Sequence, residues 1–140
     1  SIVTLEDPVE RDLPGITQIQ VQPFGQLTYE RALRSILRQD PQVLMLGEIR
    51  DAATASLAVQ ASLTGHKLLC TLHAPICAQA IARLLEMGIE PYQISSSLFG
   101  VLSQLGLRKR NRPGEPNYRG RVPVAEWVAI DDTLRKRSGA

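Results

Sequence analysis

Three short stretches of this 140-residue chain set acids or imidazole directly behind apolar runs. VLMLGEIRD, residues 43 to 51, passes four apolar side chains into Gly47 and then brings Glu48, Arg50 and Asp51 together. SIVTLED delivers Glu6 and Asp7 to the end of a β-rich run, and KLLCTLH delivers Thr71 and His73 to the end of another. A carboxylate projecting past a strand end is suited to hold a hard cation or to orient a water beside a phosphate. Imidazole can donate to a phosphate oxygen near neutral pH. In open α/β sheets the ligand lies beyond the carboxyl ends of the strands, so three such endings can converge on one crevice. The plainer alternative is that Glu48 turns outward at a strand end and pairs with Arg50; spacing alone leaves both readings open.

The elements that must position these groups alternate between strand and helix patterns, which argues for α/β layering on parallel strands. SIVTL reads as a strand that breaks at EDP, because the residue before Pro8 is pushed out of helical space. ITQIQVQ alternates with period two, whereas Ala32, Leu33, Ile36 and Leu37 fall at helical spacing within Thr28 to Gln39. VLMLG, apolar at every position, is expected to be a central strand covered on both faces, and KLLCTLH a second buried strand. DAATASLAVQASLTG reads as a helix closed by Gly65, and Cys77 to Met87 as another closed by Gly88. A further helix is expected to open at Pro91 or Tyr92 and reach about Leu105. RKRNRPGEPNYRG has loop composition, and RVPVAEWVAI reads as a strand that Pro123 confines to an edge or bulge.

Composition excludes several classes. A chain that is 44% hydrophobic and 21% charged is ordinary for one globular domain. Its net charge of +2 is too small to define a polyanion-binding surface as a whole, although residues 108 to 121 carry six basic side chains against Glu115 alone. Cys70 and Cys77 are too few for a disulfide framework and read as reduced thiols. No apolar run approaches the roughly 18 residues needed to span a bilayer. The chain begins at Ser1 in mid-pattern and ends within a charged stretch, which reads as part of a longer protein.

TLEDPVE, LRSILRQDPQVLMLGEIRD, ASLTGHKLLCTLHA and RLLEMGIEPYQISSSL, in this order, resemble the secretion traffic ATPase family of type II secretion and type IV pilus assembly. The similarity runs through nearly the whole chain. The first stretch matches that family's aspartate box, the second ends in its atypical Walker B element, and the third matches its histidine box. The resemblance implies an α/β, RecA-like P-loop NTPase core, three-layered around a mostly parallel sheet and incomplete at its N-terminal side. Residues 1–107 would carry this core, and residues 108–140 a basic loop and a C-terminal strand and helix of the same domain. The implied function is ATP hydrolysis that powers pseudopilus or pilus assembly. The implied setting is a homo-hexamer in the cytoplasm, peripheral to the inner membrane and working with the platform proteins there.

Carried over by resemblance, Glu48 is the Walker B glutamate that orients or deprotonates the attacking water. Gly47 stands where many P-loop enzymes place the metal-binding aspartate, so Glu6 is the natural substitute to support Mg²⁺. His66 and His73 match the two histidines of the histidine box, with His73 the one expected near the γ-phosphate of ATP. His66, just after Gly65, has the alternative of a helix-end histidine that touches no ligand. Arg34 and Arg38 match arginines of the helix before the Walker B strand and could reach a phosphate or a neighbouring subunit, or form a solvated basic face.

Two departures stand out. The phosphate-cradling G-x-x-x-x-G-K-[ST] loop does not occur in these residues, and the four-cysteine zinc module that many family members carry is replaced by GLRKRNRPGEPNYRG, so no zinc site can be built. MGIEPYQISSSL is more similar to the assembly and secretion branch than to the retraction branch. Two other classes remain: a non-catalytic ring-assembly paralogue, and a nucleic-acid translocase or binding module that would use the basic cluster. Nucleic acid is disfavoured because Tyr118 alone offers a stacking surface there. Residues 1–140 by themselves are expected to bind ATP weakly or not at all and to show no turnover. Hydrolysis by the purified chain that Glu48→Gln abolishes would overturn this.

Overall fold

A computed structural model describes residues 1–22, 25–110 and 118–131. Four strands, β1 (Ile2–Glu6), β2 (Thr17–Gln20), β3 (Val43–Leu46) and β4 (Lys67–Cys70), form one parallel sheet in the order β2-β1-β3-β4. Pairing is in simple register, Val3 and Leu5 of β1 lying beside Leu44 and Leu46 of β3. Helix α1 (Tyr29–Leu37) links β2 to β3, and α2 (Ala52–Leu63) links β3 to β4.

Both helices start where the sequence supplies a cap. The Thr28 hydroxyl accepts from the Arg31 N–H at 3.3 Å, and the Asp51 carboxylate accepts from the Thr54 N–H at 2.7 Å. Helix α2 ends at Gly65, whose φ of 101° suits a residue without Cβ, and the following His66 N–H closes the end onto the Ala61 carbonyl. Tyr29, Ala32, Leu33 and Ile36 of α1 and Ala55, Ala58 and Val59 of α2 pack over Leu5, Leu44 and Leu46, which are fully buried. The small side chains of α2 let it lie close to the sheet and to α1.

The opposite face is less covered than the apolar run of β3 implies. Side chains in β3 alternate between half-buried Val43 and Met45 and buried Leu44 and Leu46. On β4, expected to be buried, Leu69 is 64% exposed, because β4 is the edge of this sheet among the described residues.

Helix α3 (Cys77–Glu86) and the short α4 (Pro91–Ser97) follow β4. The helix expected to reach Leu105 stops at Ser97. Residues 100–110 instead form β5 (Gly100–Arg110), antiparallel to β6 (Tyr118–Ala129) in a separate two-stranded sheet. Ten paired positions along this ribbon outweigh the helical spacing of the local sequence, and a pairing partner some twenty residues away is invisible to local pattern. Gly100 is part of the reason: a Cβ there would come within 2.4 Å of the Trp127 ring. The division drawn at residue 107 falls inside β5, and the basic residues 108 and 109 continue that strand rather than a loop. Residue 110 also lies in β5 and residues 118–120 of the expected loop begin β6, whereas residues 111–117 and the expected C-terminal helix lie outside the described residues.

Leu46→Ala is expected to destabilise the 140-residue chain by about 2 to 5 kcal/mol, since it opens a cavity beneath α1 and α2. Leu69→Ala, on the open face, should change it by no more than about 0.5 kcal/mol. Paired urea melts of the two variants test which face is packed.

Candidate functional site

Parallel pairing of β1 with β3 sets the strand ends side by side, and the ladder continues past both. The Gly47 N–H donates to the Leu5 carbonyl at 2.7 Å. A Cβ on residue 47 would stand 3.0 Å from that carbonyl oxygen and 2.9 Å from the Tyr29 hydroxyl, so glycine is required by the approach of β1 and α1. On the other side the Thr71 N–H donates to Leu46 O at 3.3 Å, the Ile49 N–H donates to Thr71 O at 3.0 Å, and the Thr71 hydroxyl donates to the Gly47 carbonyl. Residues 47 to 49 are thus tied to both neighbouring strands, which fixes where Glu48 leaves the sheet.

The Glu48 side chain is only 16% exposed and belongs to a linear ion-pair network. One carboxylate oxygen lies 3.0 Å from His73 Nε2, and the other accepts from Arg50 Nε. Arg50 continues to Asp7 at 3.5 Å. The Glu48 hydrogen bond, and then its charge, hold the guanidinium more firmly protonated than an isolated arginine. The pairing with Arg50 anticipated as the plain alternative is therefore present, but it is one half of a carboxylate whose other half faces His73. His73 itself is 94% exposed and can leave without disturbing the core.

Glu6 stands beside Gly47 on the neighbouring strand. One of its oxygens accepts from the Thr4 hydroxyl at 2.5 Å and from Gln18 Nε2 at 2.9 Å. These two hydrogen bonds, the Gln18 bond first, hold its carboxyl below the usual carboxylate range against the opposing effect of burial. A weaker backbone hydrogen bond from Glu10 acts in the same direction. Glu6, Asp7, Glu10 and Glu48 line a cleft of about 230 Å³ with Tyr29 and Gly47. A larger cavity of about 710 Å³, between β4, α2, α3 and β5, is walled mostly by apolar side chains and contains none of these carboxylates.

The strand-end groups Glu6, Asp7, Glu48, Thr71 and His73 are brought to one edge of the sheet. His66, Arg34 and Arg38 are not. His66 precedes β4 and stands at the opposite edge, where its Nδ1 lies 3.2 Å from Ala61 O and its Nε2 lies 3.5 Å from Asp40 without making a hydrogen bond. This is the helix-end placement that Gly65 left open. Arg34 is exposed and pairs with Glu30 of its own helix at 3.0 Å, and Arg38 is the exposed C-cap of α1. Tyr29 was not singled out from the sequence. Its spacing with Ala32, Leu33 and Ile36 marks only a core position, and nothing local reveals that its hydroxyl reaches an acidic cleft.

Hard oxygen donors facing a small polar cleft suit a divalent cation. Among the described residues no three His, Cys, Asp or Glu side chains are gathered to hold a metal alone. A magnesium ion that keeps several waters and takes one or two carboxylates fits that arrangement, and Glu6 and Asp7, which line the cleft, are the residues that would hold it.

The family model described as "Type II/IV secretion system protein" matches residues 1–137. The chain is similar to the type II secretion system protein E of Pseudomonas aeruginosa, with 58% identity over 131 residues covering 94% of this chain and 26% of that protein. It is also similar to the type II secretion system ATPase E of Vibrio cholerae, with 42% identity over 170 residues covering 97% of this chain and 34% of that protein. Among solved structures, the pilus retraction motor PilT with bound ADP superimposes with a TM-score of 0.79 at 30% identity, over 98% of this chain and 40% of that one. The chain thus spans between about a fifth and a third of the length of the curated relatives it matches. The α/β, mostly parallel architecture is the one these ATPases share.

Because the folded-state pKa of Glu6 is depressed, its hydrogen bonds stabilise the fold fully above the ordinary glutamate range, and this stabilisation is lost as pH falls through the lowered value. Thermal midpoints recorded from pH 7 down to about pH 3 should therefore fall less steeply for Glu6→Gln than for the unaltered chain.

Proposed function

The chain belongs to the type II/IV secretion system protein family, and from that premise we propose that the full-length protein carrying it hydrolyses ATP to drive pseudopilus or pilus assembly. The observation that carries the reading is the placement of Glu48. It is a partly buried carboxylate at a strand end, tied to β1 and β4, facing a polar cleft and linked to an exposed histidine.

In this reading the γ-phosphate of ATP lies beyond the ends of β1, β3 and β4. Glu48 accepts a hydrogen bond from the attacking water and aligns it. The water oxygen bonds to the γ-phosphorus as the bond to the β–γ bridging oxygen breaks. ADP leaves with that electron pair, and the water proton passes to Glu48 or to the released phosphate. Bound Mg²⁺ would offset the negative charge of the phosphates, and Glu6 and Asp7 are the residues that would hold it. His73 exchanges its contact with Glu48 for one with the γ-phosphate, which lets the site register whether that phosphate is present. Arg50 keeps the Glu48 and Asp7 carboxylates apart and oriented.

His66, Arg34 and Arg38 do not serve the nucleotide of their own subunit here; any contact they make with nucleotide is across an interface in a ring. That ring is a homo-hexamer in the cytoplasm, held at the inner membrane by the secretion or pilus platform. Identity to secretion relatives well above that to the retraction motor supports the assembly and secretion branch.

Glu48→Gln in the full-length protein removes the charge that orients the water while keeping side-chain size. Turnover is expected to fall about a hundredfold to ten-thousandfold with nucleotide binding retained. Near-normal steady-state ATPase activity in this variant would overturn the reading.

A further inference from the structure

Tyr29 opens α1 on its core face and is 6% exposed, so its ring is held by packing with Ala32, Leu33 and Ile36 over the sheet. Its hydroxyl does not end in the core. It reaches the cleft lined by Glu6, Asp7 and Glu48, close enough to Gly47 that a methyl group there would meet it at 2.9 Å. It is not among the buried polar atoms left without a partner, so it opens into the cleft and not into the core. A phenylalanine would fill the same ring volume without bringing a hydroxyl to a cleft lined by four carboxylates. Burial, and then the charge of Asp7, keep this phenol from ionising, so it remains an uncharged O–H donor in a cleft whose charged side chains are all carboxylates.

We propose that the Tyr29 hydroxyl donates a hydrogen bond to the water that Glu48 orients. The inference rests on the role of Glu48 proposed above. A water held by Glu48 alone can swing about one hydrogen bond. A second bond from a rigid donor fixes its remaining freedom. The water donates one hydrogen to Glu48, accepts the Tyr29 O–H in one lone pair, and keeps its other lone pair for phosphorus. Both carboxylate oxygens of Glu48 already serve His73 and Arg50, but each retains a second lone pair for this purpose.

The experiment compares Tyr29→Phe and Glu48→Gln in the full-length protein. Tyr29→Phe is expected to lower kcat about tenfold to a hundredfold, with KM for Mg·ATP and the thermal midpoint unchanged, because one oriented hydrogen bond is lost and the packing is kept. In a second measurement 3-fluorotyrosine replaces Tyr29, and its ¹⁹F resonance is expected to shift when Mg²⁺ and a non-hydrolysable ATP analogue are added together. Unchanged kcat in Tyr29→Phe, or a rise in KM alone, while Glu48→Gln is inactive would overturn the Tyr29 assignment and leave the glutamate's role standing. An active Glu48→Gln would overturn both. A ¹⁹F resonance indifferent to the analogue would overturn the Tyr29 contact even where Tyr29→Phe folds poorly.

Discussion

The 2.7 Å hydrogen bond from the Gly47 amide to the Leu5 carbonyl is the contact on which the rest of the site depends. It extends the parallel ladder of β1 and β3 beyond their formal ends and brings two backbones together where a side chain would obstruct them. With Glu6 beside Gly47, the next residues, Asp7 and Glu48, leave adjacent strands toward the same cleft. Thr71 closes the other side by donating to Leu46's neighbour, the Gly47 carbonyl, so the peptide carrying Glu48 is clamped between two strands. Each of these bonds is individually modest, about 1 kcal/mol net. Their importance is geometric, since rotation of that peptide would redirect the Glu48 carboxylate.

Electrostatics at this edge combine four carboxylates along the cleft with the cations Arg50 and, when protonated, His73. Ion pairs this exposed contribute little to stability, because solvent screens them and ordering long side chains costs entropy. The network is better understood as orientation. Arg50 touches both Glu48 and Asp7 and is held by their charge, whereas His73 is almost wholly in solvent and is attached through one contact. Glu6 is separated from this chain. Its Thr4 and Gln18 partners bind one oxygen and favour the ionised carboxylate at the border of the cleft.

The β5–β6 ribbon is anchored at one end by polar contacts to α3. The Glu126 carboxylate accepts from the Cys77 N–H at 2.9 Å, and the Ser103 hydroxyl donates to Pro75 O at 2.7 Å. Farther along, Leu105 and Leu107 face Val124 and Val122 across the strands and all four are largely exposed. Arg108 sits directly opposite Arg121, a like-charged pairing that local composition alone made look like a basic loop.

By itself, the sequence determined the element order as far as the start of the helix at Pro91, the helix starts at Thr28 and Asp51, the helix end at Gly65, and the acids and imidazole placed after strands, because caps, glycines and apolar periodicity act over a few residues. It also marked Glu48 and His73 as residues that belong together. Three things were decided only by the tertiary structure. The continuation after Ser97 became a strand because its partner lies far along the chain. His66 and His73, seven residues apart, were sent to opposite edges of the sheet because β4 runs its length between them. Tyr29, indistinguishable from a core aromatic in the sequence, gained a polar setting because β1 and β3 bring a cleft to its hydroxyl. In each case the deciding contact joins residues distant in sequence, and no local pattern carries its direction.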